Sequence, residues 1–106
     1  MKNIGIMVCN KVSYICTGSG CFNAFNNKKK AFEIYKEEEV SLGGFFHCNG
    51  CGKEYEEELV DKLKVLKKKD VEVIHMALCI DVECSNSERL EKIITDNGFL
   101  IVRGTH

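Results

Sequence analysis

The stretch Val71-Glu-Val-Ile-His-Met-Ala-Leu78 is almost unbroken in apolar character, with only a glutamate and a histidine among its residues. It is short and rich in β-branched residues, and a charged residue, Asp70, precedes it. A run of this kind indicates a strand that is buried on both faces, as the central strand of a parallel sheet is. Residues 71–78 therefore predict an α/β fold with helices on both sides of its sheet.

Three other short apolar runs, at residues 4–8, 40–46 and 99–102, also predict strands. The segment between the second and third strands has a helical pattern instead. Residues 53–69 carry Leu59, Leu63 and Leu66 at helical spacing, with glutamates in the first turns and lysines in the last. This charge order suits the helix dipole, so the segment predicts an amphipathic helix.

The two remaining crossovers differ in how clearly they predict helices. The last one begins with Ser85-Asn-Ser-Glu88, a capping-box pattern, and ends at Asn97-Gly98, so it predicts a second helix. The first crossover leaves two alternatives open. Its aromatic residues between Phe22 and Tyr35 fit one helix, whereas Asn26-Asn27 favours two short helices with a break between them.

Strands that alternate with helices imply right-handed βαβ units and hence a parallel sheet. The sequence therefore predicts an α/β three-layer sandwich with a four-stranded parallel sheet, Rossmann/flavodoxin-like in type. With 44% hydrophobic residues and no proline-rich linker or internal repeat, residues 1–106 are expected to form one domain.

Charge and hydropathy disfavour two classes of partner. Fifteen basic and sixteen acidic residues give a formal charge of −1, without the basic excess that nucleic acid or an acidic membrane surface attracts. The apolar run near the N-terminus is too short for a signal peptide, and no stretch approaches the roughly 20 apolar residues of a membrane span. A cytoplasmic protein is expected.

Seven cysteines in 106 residues are the main functional signal. Disulfides are uncommon in a reducing cytosol, so dense cysteine there indicates metal or redox chemistry. Because parallel strands all end at one edge, the residues that follow them become neighbours. The predicted strands bring the following residues to this edge: Cys9, Cys48, Cys51, Cys79 and, at the end of the chain, His106.

Sulfur and imidazole ligands at one edge suit zinc, which binds four of them tetrahedrally. Iron or an iron–sulfur cluster is an alternative cofactor for the same ligands. Cys84 is expected to complete or replace a ligand, and Cys16 and Cys21, from a glycine-containing loop, to form a lid that adds ligands. A second reading keeps only Cys48 and Cys51, as a thiol–disulfide redox pair at the start of a helix.

Two histidines are weighed separately from these ligands. His75 lies inside a predicted strand, about 13 Å from Cys79 at ~3.3 Å per residue, so it is expected to be either a core residue with satisfied hydrogen bonds or a residue that contacts the ligands without binding the metal. His47 adjoins Cys48 but points to the opposite face of its strand, so only one of the two can aim at a shared site.

The chain resembles the CGGC-domain family of small bacterial and archaeal proteins over nearly its whole length. The resemblance rests on an Ile-Gly-Ile strand that ends at Cys9, and on the segments Cys16 to Cys21, Ala31-Phe-Glu33, Cys48-Asn-Gly-Cys51, Val73-Ile-His-Met-Ala-Leu-Cys79 and Gly104-Thr-His106. It implies a metal-binding protein, with zinc the usual suggestion, and no particular reaction.

The chain departs from the family pattern at three positions. Asn49 stands where the family has the first glycine of its name motif, and Gly52 where a proline is common. Near Cys84 the family often has Cys-Pro-His, whereas here Ser85-Asn86 follow.

The sequence leaves three classes of function open. They are a metal carrier or sensor, a metal- or thiol-dependent enzyme, and a structural module.

Overall fold

The computed structural model of the chain describes residues 2–9, 17–48, 54–77, 79–80 and 87–105. Four strands in these ranges form one parallel sheet in the order β2-β1-β3-β4, namely β1 (Lys2–Val8), β2 (Val40–His47), β3 (Val73–Met76) and β4 (Leu100–Arg103). The described connections contain helices α1 (Ser19–Asn27), α2 (Tyr55–Lys68) and α3 (Ser87–Asp96), and a 3₁₀ helix (Lys30–Tyr35). The predicted α/β sandwich with four parallel strands is confirmed.

The sheet is buried on both faces because the side chains of β1 and β3 alternate between two apolar layers. Ile74 and Met76 pack with the leucines of α2 and the isoleucines of α3. Val73 on the opposite face packs with Phe32 and the small residues of α1. Helices α2 and α3 therefore cover one face of the sheet, and α1 with the 3₁₀ helix covers the other.

The described part of the first crossover, from residue 17 onward, contains two short helices, which decides between the alternatives that its sequence left open. Helix α1 ends at Asn27, and Lys28 then adopts a left-handed backbone with φ 50°. Its N–H group bonds to the carbonyl oxygen of Phe25, which closes the last turn. The 3₁₀ helix that follows buries Phe32 and Tyr35 against the sheet.

Strand β3 is shorter than the apolar run that predicted it. The N–H group of Val71 donates to Leu66 O at 3.1 Å, so this residue belongs to the end of α2 rather than to the ladder. The strand itself starts at Val73. Its last part keeps the sheet's pattern, since the N–H group of Ala77 donates to Met7 O at 2.9 Å, while Leu78 lies outside the described residues.

Gly44 shows how closely α2 approaches the edge strand β2. A Cβ atom on this residue would lie 2.5 Å from Leu66 Cδ2, well inside contact distance, so any larger residue would require the Leu66 side chain to move. Among the helices of the described ranges, none has the length and apolar character that crossing a bilayer requires.

Candidate functional site

The carboxyl ends of β1 and β3 lie at the point where the chain changes direction across the sheet. From β1 the chain crosses to β2 on one side, whereas β3 leads to β4 on the other. Doubly wound α/β proteins bind their ligands in the crevice at such a switch point, outside the carboxyl ends of the strands. Cys9 directly follows β1, and Cys79 lies three residues after β3.

Cys9 and Cys79 are in direct contact at this switch point. The backbone N–H group of Cys9 donates a hydrogen bond to Cys79 Sγ over 3.1 Å. An N–H donor aimed at sulfur favours the thiolate over the thiol, and the thiolate is the form that binds metals. Cys9 is buried, and Cys79 is partly exposed and packs against the core on both faces of the sheet.

Cys48 follows the neighbouring strand β2 and lies beside a lysine. Its N–H group donates to Val8 O at 2.9 Å, and its side chain is buried in the same core layer as Cys9. Lys62 Nζ on α2 donates to His47 O at 2.7 Å. Burial lowers the pKa of Lys62, while the charges of Cys48 and Glu58 act to raise it. Lys62 thus supplies positive charge next to the thiol of Cys48.

Cys21 has a different environment from the other described cysteines. It lies on α1, in the opposite core layer, and its Sγ–H group donates to Thr105 Oγ1 at 3.3 Å. Both residues are buried. This contact ties α1 to the Thr105 segment that follows β4.

Several of the expected site residues lie outside the described part of the chain, namely Cys16, Cys51, Cys84 and His106. The cysteines within the described part, Cys9, Cys21, Cys48 and Cys79, are all free of disulfides. In the described ranges no three cysteine, histidine or acidic side chains come together as a group able to hold a metal ion. The contact that the structure shows among these residues joins Cys9 and Cys79.

His75 is a fully buried core residue whose two ring nitrogens both have partners. Its Nδ1 lies 3.1 Å from Gly104 O. A carbonyl oxygen only accepts, so Nδ1 carries the proton, and Tyr35 Oη donates to Nε2 over 2.8 Å. The ring also stacks at 4.4 Å between centroids against Phe32. This agrees with the expectation of a core histidine with satisfied hydrogen bonds.

The partners of these polar groups were not foreseen from the sequence. Tyr35, Thr105 and Lys62 each contact a residue at least 15 positions away, and no motif connects them. The one signal available in the sequence is the helical spacing of Tyr35 from Phe32, and this spacing indicates packing only. His47 is exposed while Cys48 is buried, as the alternation of strand side chains predicts.

The Tyr35–His75 pair predicts a loss of stability on both sides of neutral pH. Burial lowers the pKa of His75 below the ordinary 6.5, although its bond to Gly104 opposes this. The unfolded chain then takes up the proton first, so this contribution is complete above pH 6.5 and decreases as the pH falls below it. Burial, and then the charge of Glu38, raise the pKa of Tyr35 from 10.0 to about 12, so stability also decreases above pH 10.

Urea unfolding at a series of pH values measures both slopes. In a His75→Gln variant the acid slope between pH 7.5 and 5 should be shallower than in the wild type, because glutamine keeps hydrogen-bonding capacity without titrating. Tyr35→Phe should flatten the alkaline slope. Identical slopes in wild type and variants would contradict the assignment of these two groups.

The grooves on the described surface lie away from the thiol pair. One of about 560 Å³ runs past the amino ends of the strands, near Lys2, Glu72 and Gly98. Another, of about 520 Å³, lies between α2 and α3 and is lined by charged residues such as Glu57, Lys64 and Arg89. Neither includes a cysteine.

Fold and thiols together define a small α/β protein with free cysteines at the carboxyl edge of a parallel sheet. A sequence profile of the CGGC domain matches residues 3–106, and the chain belongs to the CGGC-domain family. An uncharacterized protein of Methanocaldococcus jannaschii is 35% identical over 115 residues, an alignment that covers 97% of this chain and 85% of that protein. No solved structure matches the chain, so the likeness to a Rossmann or flavodoxin fold rests on strand order alone.

Proposed function

We propose that this protein binds a thiophilic metal ion through Cys9 and Cys79 at the switch point of its sheet, with zinc as the expected metal. The contact between the N–H group of Cys9 and Cys79 Sγ carries the proposal. It joins the ends of two adjacent strands through a sulfur that accepts a hydrogen bond, which is the role of a thiolate. Membership of the CGGC-domain family supports a metal-binding role.

We propose that Cys48 joins the site as a further ligand when the metal binds, since the described side chains of Cys9, Cys48 and Cys79 do not already form a group of three. It follows the strand beside β1, and Lys62 offsets the negative charge that a thiolate would bring there. Cys51 belongs with it, because a Cys-x-x-Cys segment offers zinc two sulfurs from one short loop. Cys84, His106 and Cys16 are the candidates for any ligand that completes or replaces these. Cys21 is excluded from the set because its thiol donates to Thr105.

The residues present fit a sulfur-bound metal better than an oxygen-bound one. Soft thiolates select zinc, cobalt and iron over magnesium or calcium. When bound, such a metal would supply either a fixed cross-link between strand ends or a Lewis acid with an open position. The proposal places the protein in the cytoplasm, where thiols that are free in the structure stay reduced.

Metal analysis of protein purified without oxygen tests the proposal. The wild type should contain metal in a fixed ratio to the chain, colourless for zinc and brown for an iron–sulfur cluster. A Cys9→Ser, Cys79→Ser double variant should lose bound metal roughly tenfold or more, because two thiolate ligands are removed. Added Co²⁺ gives an independent measurement, since the wild type should show sulfur-to-cobalt charge-transfer absorption and the double variant should not.

The chain offers a matched control in Cys21→Ser. This variant also replaces a buried cysteine, and its hydroxyl group keeps a donor for Thr105, so it should retain metal like the wild type. Full metal content in the double variant would disprove the ligand assignment. Metal-free wild-type protein with a reversibly oxidised Cys48–Cys51 pair would instead support the thiol–disulfide reading.

A further inference from the structure

An apolar groove runs along the outer edge of the sheet, between strand β2 and helix α2. It has a volume of about 260 Å³ and is lined by Gly44, Phe45, Phe46, Lys62, Val65 and Leu66. Val65 is 57% exposed, so a large apolar side chain of α2 faces solvent here. Within the described residues no other strand pairs with β2 on this side. The metal-site proposal makes no use of this surface.

One stripe of α2 and its C-terminal cap lies along this groove. Lys62 and Val65 line it, and Glu58 and Lys69 continue the same line, because spacings of four, three and four residues follow one side of a helix. The side of α2 that carries Val60 and Lys64 instead borders the groove toward α3. Residues 58, 62, 65 and 69 are called the edge stripe below.

The charges of the edge stripe are complementary to those of a second, antiparallel copy. If a twofold axis passes between Lys62 and Val65, Glu58 of one chain lies opposite Lys69 of the other, and this pair occurs twice by symmetry. Val65 then packs on the methylene groups of Lys62 in the second chain. More generally, the first turn of α2 is acidic and the last is basic, so antiparallel helices place unlike charges side by side.

We propose that the β2–α2 edge is the interface of a homodimer with twofold symmetry, in which the edge stripes of two copies pack antiparallel. The contact is made by side chains rather than by a continued β-sheet. Lys62 Nζ donates a hydrogen bond to the carbonyl oxygen of His47 at this edge. In addition, the pairing of β2 with β1 shifts register at Gly43. Both features disfavour a regular ladder with another strand.

The occupant is a second copy rather than a different partner because the stripe is self-complementary. Nucleic acid would meet acidic residues in the first turn of α2. An unrelated apolar peptide would explain Val65 and Phe46, but it would give no reason for a glutamate and a lysine at equal distances from the centre of the stripe. Twofold pairing accounts for the apolar centre and for both charged ends.

Sedimentation velocity under reducing conditions, over a series of protein concentrations, tests this dimer. The wild type should sediment as a concentration-dependent dimer, and Val65→Lys should raise the dissociation constant roughly tenfold or more, because it places a lysine beside Lys62 of the other chain. Leu100→Lys is the matched control. Leu100 is 68% exposed on β4 at the opposite edge of the sheet, so its replacement should leave the dimer intact.

Charge reversal then tests the register. Glu58→Lys and Lys69→Glu should each weaken the dimer, because like charges then face each other, and the two changes together should restore it. Circular dichroism verifies that each variant is folded. A wild type that stays monomeric at every concentration overturns the proposal. Equal dissociation by Val65→Lys and Leu100→Lys overturns it as well. A double reversal that fails to recover the dimer overturns the antiparallel register.

Discussion

His75→Ala should lower the free energy of unfolding by about 3–5 kcal/mol, a loss typical of removing a large buried ring. His75 is fully buried against Phe32, so the smaller side chain leaves a cavity. The substitution also removes the hydrogen-bond partner of the Tyr35 hydroxyl group and of Gly104 O. Chemical unfolding in urea, followed by circular dichroism at neutral pH, measures this difference.

Two further variants separate the hydrogen bonds of His75 from its packing. Tyr35→Phe keeps the aromatic ring but leaves Nε2 of His75 without a donor, which should cost about 1–3 kcal/mol. His47→Ala replaces an exposed histidine and should change stability by less than about 0.5 kcal/mol. A His75→Ala protein as stable as the His47→Ala control would show that the buried pair contributes nothing to the native state.

The sequence was sufficient to predict the architecture because hydrophobic period distinguishes strands from helices. The apolar runs at residues 4–8 and 71–78 correctly predicted the two central strands, β1 and β3. The spacing of Leu59 and Leu63 correctly predicted helix α2. Strand β3 begins two residues later than its apolar run. Val71 is as apolar as a strand residue, but its N–H group bonds to the end of α2, and hydrophobicity alone does not indicate which partner a backbone group takes.

The break in the first crossover depends on backbone conformation rather than on pattern. Asn26-Asn27 indicated that a break was conceivable, but the chain turns at Lys28, whose φ of 50° is unusual for lysine. The stabilising contacts come from elsewhere, since the N–H groups of Lys28 and Lys29 close onto α1 and Lys28 Nζ bonds to Glu38 O. A single sequence therefore leaves one helix and two helices comparably plausible.

The location of the candidate site follows from topology, whereas its chemistry depends on side-chain contacts. Parallel strands predict that Cys9 and Cys79 share an edge, and the structure brings them into contact. Nothing in the spacing shows that Cys79 accepts a hydrogen bond while Cys21 donates one to Thr105, 84 residues away. The different hydrogen-bonding roles of these two thiols become available only when their partners are known.

Leu63→Ala should destabilise the protein by about 2–5 kcal/mol, which is a large part of the roughly 5–15 kcal/mol that holds a small domain together. Leu63 is 1% exposed and lies in the core layer between α2 and the sheet. The surrounding side chains relax only partially into the vacated volume, so a cavity remains. Urea unfolding at low protein concentration measures the loss for the monomer.

Val65→Ala, two residues further along the same helix, is the matched control for Leu63→Ala. Val65 is 57% exposed, and alanine has the higher helix propensity, so the stability of the monomer should change by less than about 0.5 kcal/mol. The two substitutions should therefore differ in effect. Leu63→Ala lowers the stability of the monomer, whereas Val65→Ala lowers only the affinity of the proposed dimer. Equal destabilisation of the monomer by both would mean that α2 packs with a different face toward the sheet, and the edge stripe would then not face a second copy.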